Sequence, residues 1–204
     1  LTTFHLSKIR AVLDLNLISD ACFFAILSAC FFGLLRISNV VSFCVLGDRK
    51  LFSFNGERVH YAVLPSYPGH PLCPVSALRH FLTLSGEDFE SSTCLFRFRK
   101  QRSVVVPSAN WVRSKLSKLL NQLGFASSFF SSHSLRRGGA SWLLNAGVPL
   151  HIIRILGDWK SDAVFQYLCP SPEAIFSHFL QIVILFFHQS QTFFSGFGLS
   201  LSAF

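Results

Sequence analysis

The segment HSLRRGGASWLLNAGVPLHIIRILGDWKSDAVFQYL spans residues 133–168 and has the apolar pattern of a run of short buried helices. Gly147 is predicted to end the first helix and Pro149 to start the second, because glycine favours helix C-termini and proline favours first turns. Ser161 or Asp162 can cap a last short helix with a side-chain oxygen. The sequence therefore predicts three successive helical elements in this segment.

The same segment carries polar side chains that a buried helix does not need. His133 and Arg136 are three residues apart, so they share one face of the first helix. The spacing from Arg136 to Trp159 leaves room for a turn and a second helix, which can bring the chain back toward Arg136. Tyr167 follows eight residues after Trp159. Taken singly, each residue also fits an ordinary packing role. Taken together, they are predicted to gather around one ligand.

Outside this segment the pattern is mainly helical, with a small sheet near the front of the chain. Residues 4–17 follow a helical period, and the strongly apolar residues 21–35 form a second predicted helix. Between residues 40 and 63, short β-branched and aromatic runs flank Asn55–Gly56, which is a strong signal for an antiparallel hairpin.

Two more helices are predicted in the middle of the chain. Pro74 stands at the start of one that Gly86 ends, and Ser108 caps another that Gly124 ends. The second has one apolar face, with Lys115 predicted on the opposite side. The predicted fold class is therefore α+β, mainly helical, with a small antiparallel sheet.

The charge of the chain favours a polyanionic partner. Lysine and arginine number 18 against 10 for aspartate and glutamate, which gives a formal net charge of +8. Such an excess suits nucleic acid or an anionic membrane face, and charge alone does not choose between them. The six cysteines have neither CxxC spacing nor a histidine at zinc spacing, so we expect reduced thiols and no metal site.

Two apolar stretches raise the alternative of a membrane protein. Residues 21–35 fall short of the roughly 20 residues that a bilayer span needs, and Arg36 follows directly, so a buried helix is expected. Residues 174–204 contain no charged side chain, but histidine, glutamine and glycine interrupt them. We therefore expect no membrane partner. No leader sequence is evident, which favours an intracellular location.

Three blocks, in this order, resemble the catalytic domain of the tyrosine recombinases, the phage integrase family. They are GLLRISNV at 33–40, HSLRRGGASWLLNAGV at 133–148 and ILGDWKSDAVFQYL at 155–168. Together with HPLCPVSAL at 70–78, they are most similar to the recombinases of eukaryotic mobile elements, of the tyrosine-recombinase retrotransposon and Crypton types. The resemblance extends from about residue 6 to residue 168.

The resemblance implies a catalytic role for five residues. Arg36 matches the first catalytic arginine, and His133 with Arg136 matches the family's H-x-x-R box. Trp159 stands where the family has histidine or tryptophan, and Tyr167 matches the nucleophile. Because Arg36 ends a strongly apolar helix, we expect it to be buried, where its charge would be costly unless an anion paired with it.

These side-chain types suit the attack of a phenol on a DNA phosphodiester. The attack adds negative charge to the non-bridging oxygens, which guanidinium groups bind bidentately while they stay charged. His133 would act as general base, and the indole N–H of Trp159 would donate to a phosphate oxygen. The implied 3′-phosphotyrosyl bond stores the bond energy, so no metal or other cofactor is expected.

The resemblance also implies a catalytic lysine in a β-hairpin, and Lys50 in KLFSF (residues 50–54) is the candidate. Few residues separate Arg36 from Lys50, which indicates that the hairpin region at 40–63 is shortened by a deletion or a mis-spliced exon near residues 42–49. Asn39 stands where many members carry an acidic residue. The role of Lys50 is therefore the weakest part of the resemblance.

The expected domains are a catalytic domain at residues 1–172 and a hydrophobic tail at residues 173–204. The expected partners are double-stranded DNA and other protomers, in a tetramer on DNA, with a location in the nucleus. Two functions stay open: a recombinase that breaks and rejoins DNA, and an inactive, transposon-derived DNA-binding module. Because the hairpin is short and the family's N-terminal helical domain is not part of the resemblance, little covalent attachment to DNA is expected.

Overall fold

The protein is described by a computed structural model that covers residues 1–41, 43–46, 50–53, 63–86, 94–131, 133–173, 175–176 and 180, with 43–46 and 50–53 described by their backbone. The α-helices in these ranges are α1 (Thr3–Val12), α2 (Ile18–Phe32), α3 (Ile37–Val41), α4 (Pro74–Ser85), α5 (Ala109–Gln122), α6 (Ser134–Asn145) and α7 (Leu150–Leu156). Two 3-10 helices, Ser127–Phe129 and Asp162–Tyr167, follow α5 and α7.

The strands of the described chain form two antiparallel hairpins. Strand β1 (Phe43–Leu46) pairs with β2 (Lys50–Ser53), and β3 (Phe98–Lys100) pairs with β4 (Ser103–Val105). The fold is therefore mainly helical with small antiparallel sheets, which confirms the predicted class. The hairpin predicted around Asn55–Gly56 lies outside the described residues.

Helix α2 is the centre of the main core. Every side chain from Ala21 to Phe32 is buried, as expected for a helix that is apolar on all sides. Helices α4 and α6 both pack against it, and the ring of Phe32 meets that of Trp142 in α6 edge to face at 5.3 Å. None of the helices described here combines the length and the hydropathy that crossing a bilayer requires.

Two glycines let α6 lie directly against backbone, Gly139 at the end of α2 and Gly138 at the start of the chain. A Cβ atom on Gly139 would meet the carbonyl oxygen of Phe31 at 1.9 Å, and one on Gly138 would meet the carbonyl oxygen of Leu1 at 1.8 Å. Real Cβ atoms essentially never make contacts under 3.0 Å. Because neither glycine has a side chain, α6, which follows His133 and carries Arg136, can lie close to the end of α2.

Several helix ends follow the predicted signals. Pro74 is the first residue of α4, and Gly86 after it adopts a left-handed φ of 57°. The Ser108 hydroxyl accepts a hydrogen bond from the backbone N–H of Trp111 at 3.1 Å and so caps α5. The last predicted helix is capped by Ser161, as expected, but it is a 3-10 helix.

Helix α1 is shorter than its periodicity predicts. It ends at Val12 instead of continuing to residue 17. The Asp14 carboxylate accepts hydrogen bonds from the backbone N–H of Asn16 at 3.0 Å and from its side-chain amide at 3.2 Å. This local turn competes with the helix for the same backbone groups.

Lys115, predicted on the side of α5 opposite its apolar face, instead packs against apolar rings. Its Nζ lies 2.5 Å from Oδ1 of Asp20 in α2, and 4.9 Å and 5.2 Å from the ring centroids of Phe23 and Trp111. The lysine stem covers apolar surface while its ammonium group meets a carboxylate. The pattern of α5 alone could not reveal this partner, because Asp20 lies on a helix far away in the chain.

Candidate active site

Arg136 is the centre of the site and is buried, with 6% of its surface exposed. Its Nη1 donates to the carbonyl oxygen of Leu34 at 2.9 Å, and its Nη2 donates to that of Gly157 at 2.6 Å. Its Cζ also lies 4.0 Å from the ring centroid of Trp159. Arg136 thus joins the turn after α2 to the loop after α7.

The loop after α7 is shaped to hold Trp159. A Cβ atom on Gly157 would lie 1.7 Å from the indole ring, so glycine is needed there for space. Arg154 Nε donates to the carbonyl oxygen of Trp159, and Arg154 Nη2 donates to that of Lys160, each at 3.1 Å. Sequence reasoning missed Arg154, although a basic residue in the last turn of a helix is a known signal for carbonyl binding.

Tyr167 lies against the same group of side chains. Its hydroxyl lies 3.4 Å from Nδ1 of His133, at hydrogen-bonding distance. Its ring centroid lies 5.4 Å from that of Trp159 and 5.8 Å from Cζ of Arg136. His133 is exposed at the N-terminus of α6, and Tyr167 is half-buried. The structure therefore brings these four predicted residues together.

An open cavity of about 270 Å³ adjoins the Tyr167 ring. Its lining consists of residues from the start of α6 and from the last 3-10 helix: Ser131, His133, Ser134, Arg137, Gln166 and Tyr167. The phenol and the imidazole therefore share one solvent-facing space.

Arg36 is exposed, which corrects the expectation that it is buried. Helix α2 ends at Phe32, and the chain then turns at Leu34, which adopts a left-handed φ of 53°. The turn takes Arg36 out of the apolar helix, so its charge is not enclosed by the core. Sequence periodicity could not predict this turn, because a leucine rarely adopts a positive φ.

Arg36 nevertheless acts on Arg136 electrostatically. Burial and, next, the positive charge of Arg36 lower the pKa of Arg136 to about 10. That value leaves the Arg136 guanidinium charged at neutral pH. The site therefore concentrates positive charge beside the Tyr167 phenol, as an anion-binding site requires.

Within the described part of the chain, two buried donors of the site have no hydrogen-bond partner: Nε of Arg136 and Nε1 of Trp159. Both side chains are more than nine-tenths buried. An unpaired buried donor typically costs about 1–3 kcal/mol, so such donors are uncommon and call for an explanation. A hydrogen-bond acceptor, such as an anionic oxygen, would satisfy them.

Lys50 is the first residue of β2, and its backbone lies opposite Leu46 of β1. Helix α3 and strand β1 lie between Arg36 and Lys50, so two paired strands form despite the short spacing. The predicted role of Lys50 depends on its side chain, which lies outside the described part of the chain.

Comparison with known proteins agrees with this geometry. Residues 68–168 match the sequence model of the phage integrase family. The chain is also 38% identical, over 58 residues, to the integrase of Salmonella phage P22; the match covers 28% of this chain and 15% of that integrase. No solved structure is significantly similar to the chain.

The matched segment contains helices α4 to α7 and the last 3-10 helix. Four clustered side chains lie within it, namely those of His133, Arg136, Trp159 and Tyr167. Arg36 and Lys50 lie before it. Residues 68–168 of this chain are therefore a domain of the phage integrase family, the tyrosine recombinases.

Proposed function

We propose that this site cleaves and rejoins DNA strands through a covalent bond between Tyr167 and a 3′-phosphate. The observation that carries the proposal is the pair of unpaired buried donors, Arg136 Nε and Trp159 Nε1, beside the Tyr167 phenol. A phosphate oxygen supplies the acceptor that both donors lack. The family domain in residues 68–168 supports the same chemistry.

In the proposed reaction, the phenol oxygen of Tyr167 attacks the scissile phosphorus, and the 5′-oxygen of the next nucleotide leaves. His133 Nδ1, 3.4 Å from the phenol oxygen, takes the phenol proton. Arg36 and Arg136 stabilise the charge that grows on the non-bridging oxygens. Lys50 is the proposed donor of the proton to the leaving 5′-oxygen. Strand joining runs the same steps in reverse.

The proposed substrate is double-stranded DNA, because the net charge of +8 suits a polyanion. The resemblance of the sequence blocks extends the proposal further. It favours an origin in a eukaryotic mobile element, a location in the nucleus and a tetramer of protomers on DNA.

The direct test of the proposal is covalent capture of a DNA substrate in which the cleaved strand diffuses away. We expect the chain to form a covalent complex slowly, because the hairpin that carries Lys50 is expected to be short for the family, and a misplacement of a catalytic group by about 1 Å can cost around a hundredfold in rate. Tyr167→Phe is expected to abolish the complex, since phenylalanine has no nucleophilic oxygen. Denaturing gel electrophoresis measures the product.

Tyr67→Phe is the matched control, because it makes the same substitution at a tyrosine outside the site. We expect it to leave the covalent yield unchanged. Covalent product from the Tyr167→Phe variant would contradict the proposed nucleophile. DNA binding with no product after long incubation would contradict the enzyme and favour the inactive DNA-binding module.

The salt dependence of DNA affinity tests the proposed partner separately. Contacts between basic side chains and phosphates release counterions, so affinity falls as the salt concentration rises. We expect the affinity for duplex DNA to fall by about tenfold or more between 50 and 200 mM salt, for a protein with a few phosphate contacts. Fluorescence anisotropy measures this change. An affinity that does not depend on salt would show that the basic excess does not bind the DNA backbone.

A further inference from the structure

One face of α6 is hydrogen-bonded to the backbone of the segment that carries the proposed nucleophile. Arg137, Ser141 and Asn145 follow one another at intervals of four residues, so their side chains lie in a row along the helix. We call these three residues the α6 row. None of them belongs to the proposed set of catalytic side chains.

Ser141 is the middle residue of the α6 row and makes two hydrogen bonds. Its hydroxyl donates to the carbonyl oxygen of Tyr167 at 3.2 Å and accepts from the backbone N–H of Cys169 at 2.9 Å. A serine hydroxyl can donate once, and it has lone pairs to accept. Ser141 therefore holds the backbone on both sides of Leu168.

The two ends of the α6 row extend this contact in both directions. Nη2 of Arg137 donates to the carbonyl oxygen of Gln166 at 2.9 Å. Oδ1 of Asn145 accepts from the backbone N–H of Ser171 at 3.0 Å. The row therefore binds four backbone groups between residues 166 and 171.

Apolar packing holds this segment only in part, through Val164 and the partly buried side chains that pack against the same small core. In the described residues 161–171, Val164 is the one fully buried side chain, and 57% of the surface of Phe165 is exposed. Segments with little buried apolar surface open easily, unless polar contacts restrain them. The hydrogen bonds of the α6 row are therefore a main restraint on the position of Tyr167.

We infer that Arg137, Ser141 and Asn145 are positioning residues that hold Tyr167 beside His133 and Arg136. The inference rests on the proposed function, because it gives the restrained tyrosine a reaction to perform. The α6 row acts through the backbone of the segment. Its role is to keep the phenol oxygen at a productive distance, because small displacements of a reacting group slow catalysis strongly.

Hydrogen exchange of single backbone amides tests the restraint without any DNA cleavage. In Ser141→Ala the Cys169 amide loses its acceptor, and we expect its exchange to become about fivefold faster, with less change at Ser171. In Asn145→Ala the larger effect is expected at Ser171. NMR-detected exchange on the full chain resolves the two amides.

Asn121→Ala is the matched control for the exchange experiment. Oδ1 of Asn121 accepts from the backbone N–H of Ser127 at 3.1 Å, away from the nucleophile segment. We expect faster exchange at Ser127 and no change at Cys169 or Ser171. Unchanged exchange at Cys169 in Ser141→Ala would overturn the inference.

Covalent capture of DNA tests the consequence for the reaction. We expect Ser141→Ala to slow capture about tenfold while DNA affinity stays unchanged, and Ser141→Thr to restore the rate because it keeps the hydroxyl. Ser114→Ala, at an exposed position of α5, is the control that should not change the rate.

The two readouts separate the inference from the proposed function. Faster amide exchange with an unchanged capture rate in Ser141→Ala would overturn the positioning role. If the unmodified chain forms no covalent product, the proposed function fails, and the amide exchange rates still decide whether the α6 row holds the segment.

Discussion

Replacing Arg136 with methionine is expected to lower the free energy of unfolding by about 3–5 kcal/mol, because each hydrogen bond from a charged group contributes roughly 1.5–3 kcal/mol. The substitution removes the donors to the carbonyl oxygens of Leu34 and Gly157, both of which belong to buried residues. Methionine keeps most of the side-chain volume, so the loss reports mainly on these bonds. Urea denaturation followed by far-UV circular dichroism measures it.

Arg113→Met is the control for this prediction. Arg113 is an exposed arginine on α5 that donates to Oδ1 of Asn110 at 2.7 Å. Exposed substitutions of this kind usually change stability by no more than about 0.5 kcal/mol. Equal losses in the Arg113 and Arg136 variants would show that the buried hydrogen bonds of Arg136 do not stabilise the fold.

Gly139→Ala is expected to destabilise the protein by about 3 kcal/mol, near the upper end of the usual cost of forcing extra volume into a packed core. The new methyl group would meet the Phe31 carbonyl oxygen at 1.9 Å and the Leu34 side chain at 2.8 Å. The Phe31 carbonyl group is part of the backbone and cannot rotate away as a side chain can. Helix α6 would therefore have to move away from α2. The midpoint of urea denaturation measures the loss.

The sign of this effect is what makes the experiment informative. In an ordinary helix interior, glycine to alanine stabilises by roughly 0.5–1 kcal/mol. Ser114→Ala on the exposed face of α5 is the control, with an expected change of no more than about 0.5 kcal/mol. Stabilisation by Gly139→Ala would mean that α6 and α2 are not in the close contact described.

Local signals predicted much of the fold. Pro74, Gly86 and Ser108 set helix ends as expected, because capping and left-handed glycine depend on neighbours only a few residues away. The end of the first helix was less predictable from residues 4–17. The turn at Asp14 ended α1 early, although the helical period continued past it.

The candidate site was partly predictable for a different reason. The sequence alone shows a guanidinium, an imidazole, an indole and a phenol at set spacings, and these groups are chemically informative. The structure brings them together, as Arg136, His133, Trp159 and Tyr167. Arg36 was predicted to be buried and is exposed, because the positive φ at Leu34 turns the chain.

The sequence by itself determined several helix ends, the fold class and the chemical types of the site residues, since these depend on short-range geometry and side-chain identity. Only the tertiary structure decided which partners meet across the chain. The ion pair of Lys115 with Asp20, the hydrogen bond from Arg136 to Leu34 and the hydrogen bonds of Ser141 are examples. These partners belong to different elements, and the close packing of α6 on α2, together with the return of the chain after α7, fixes the distances between them.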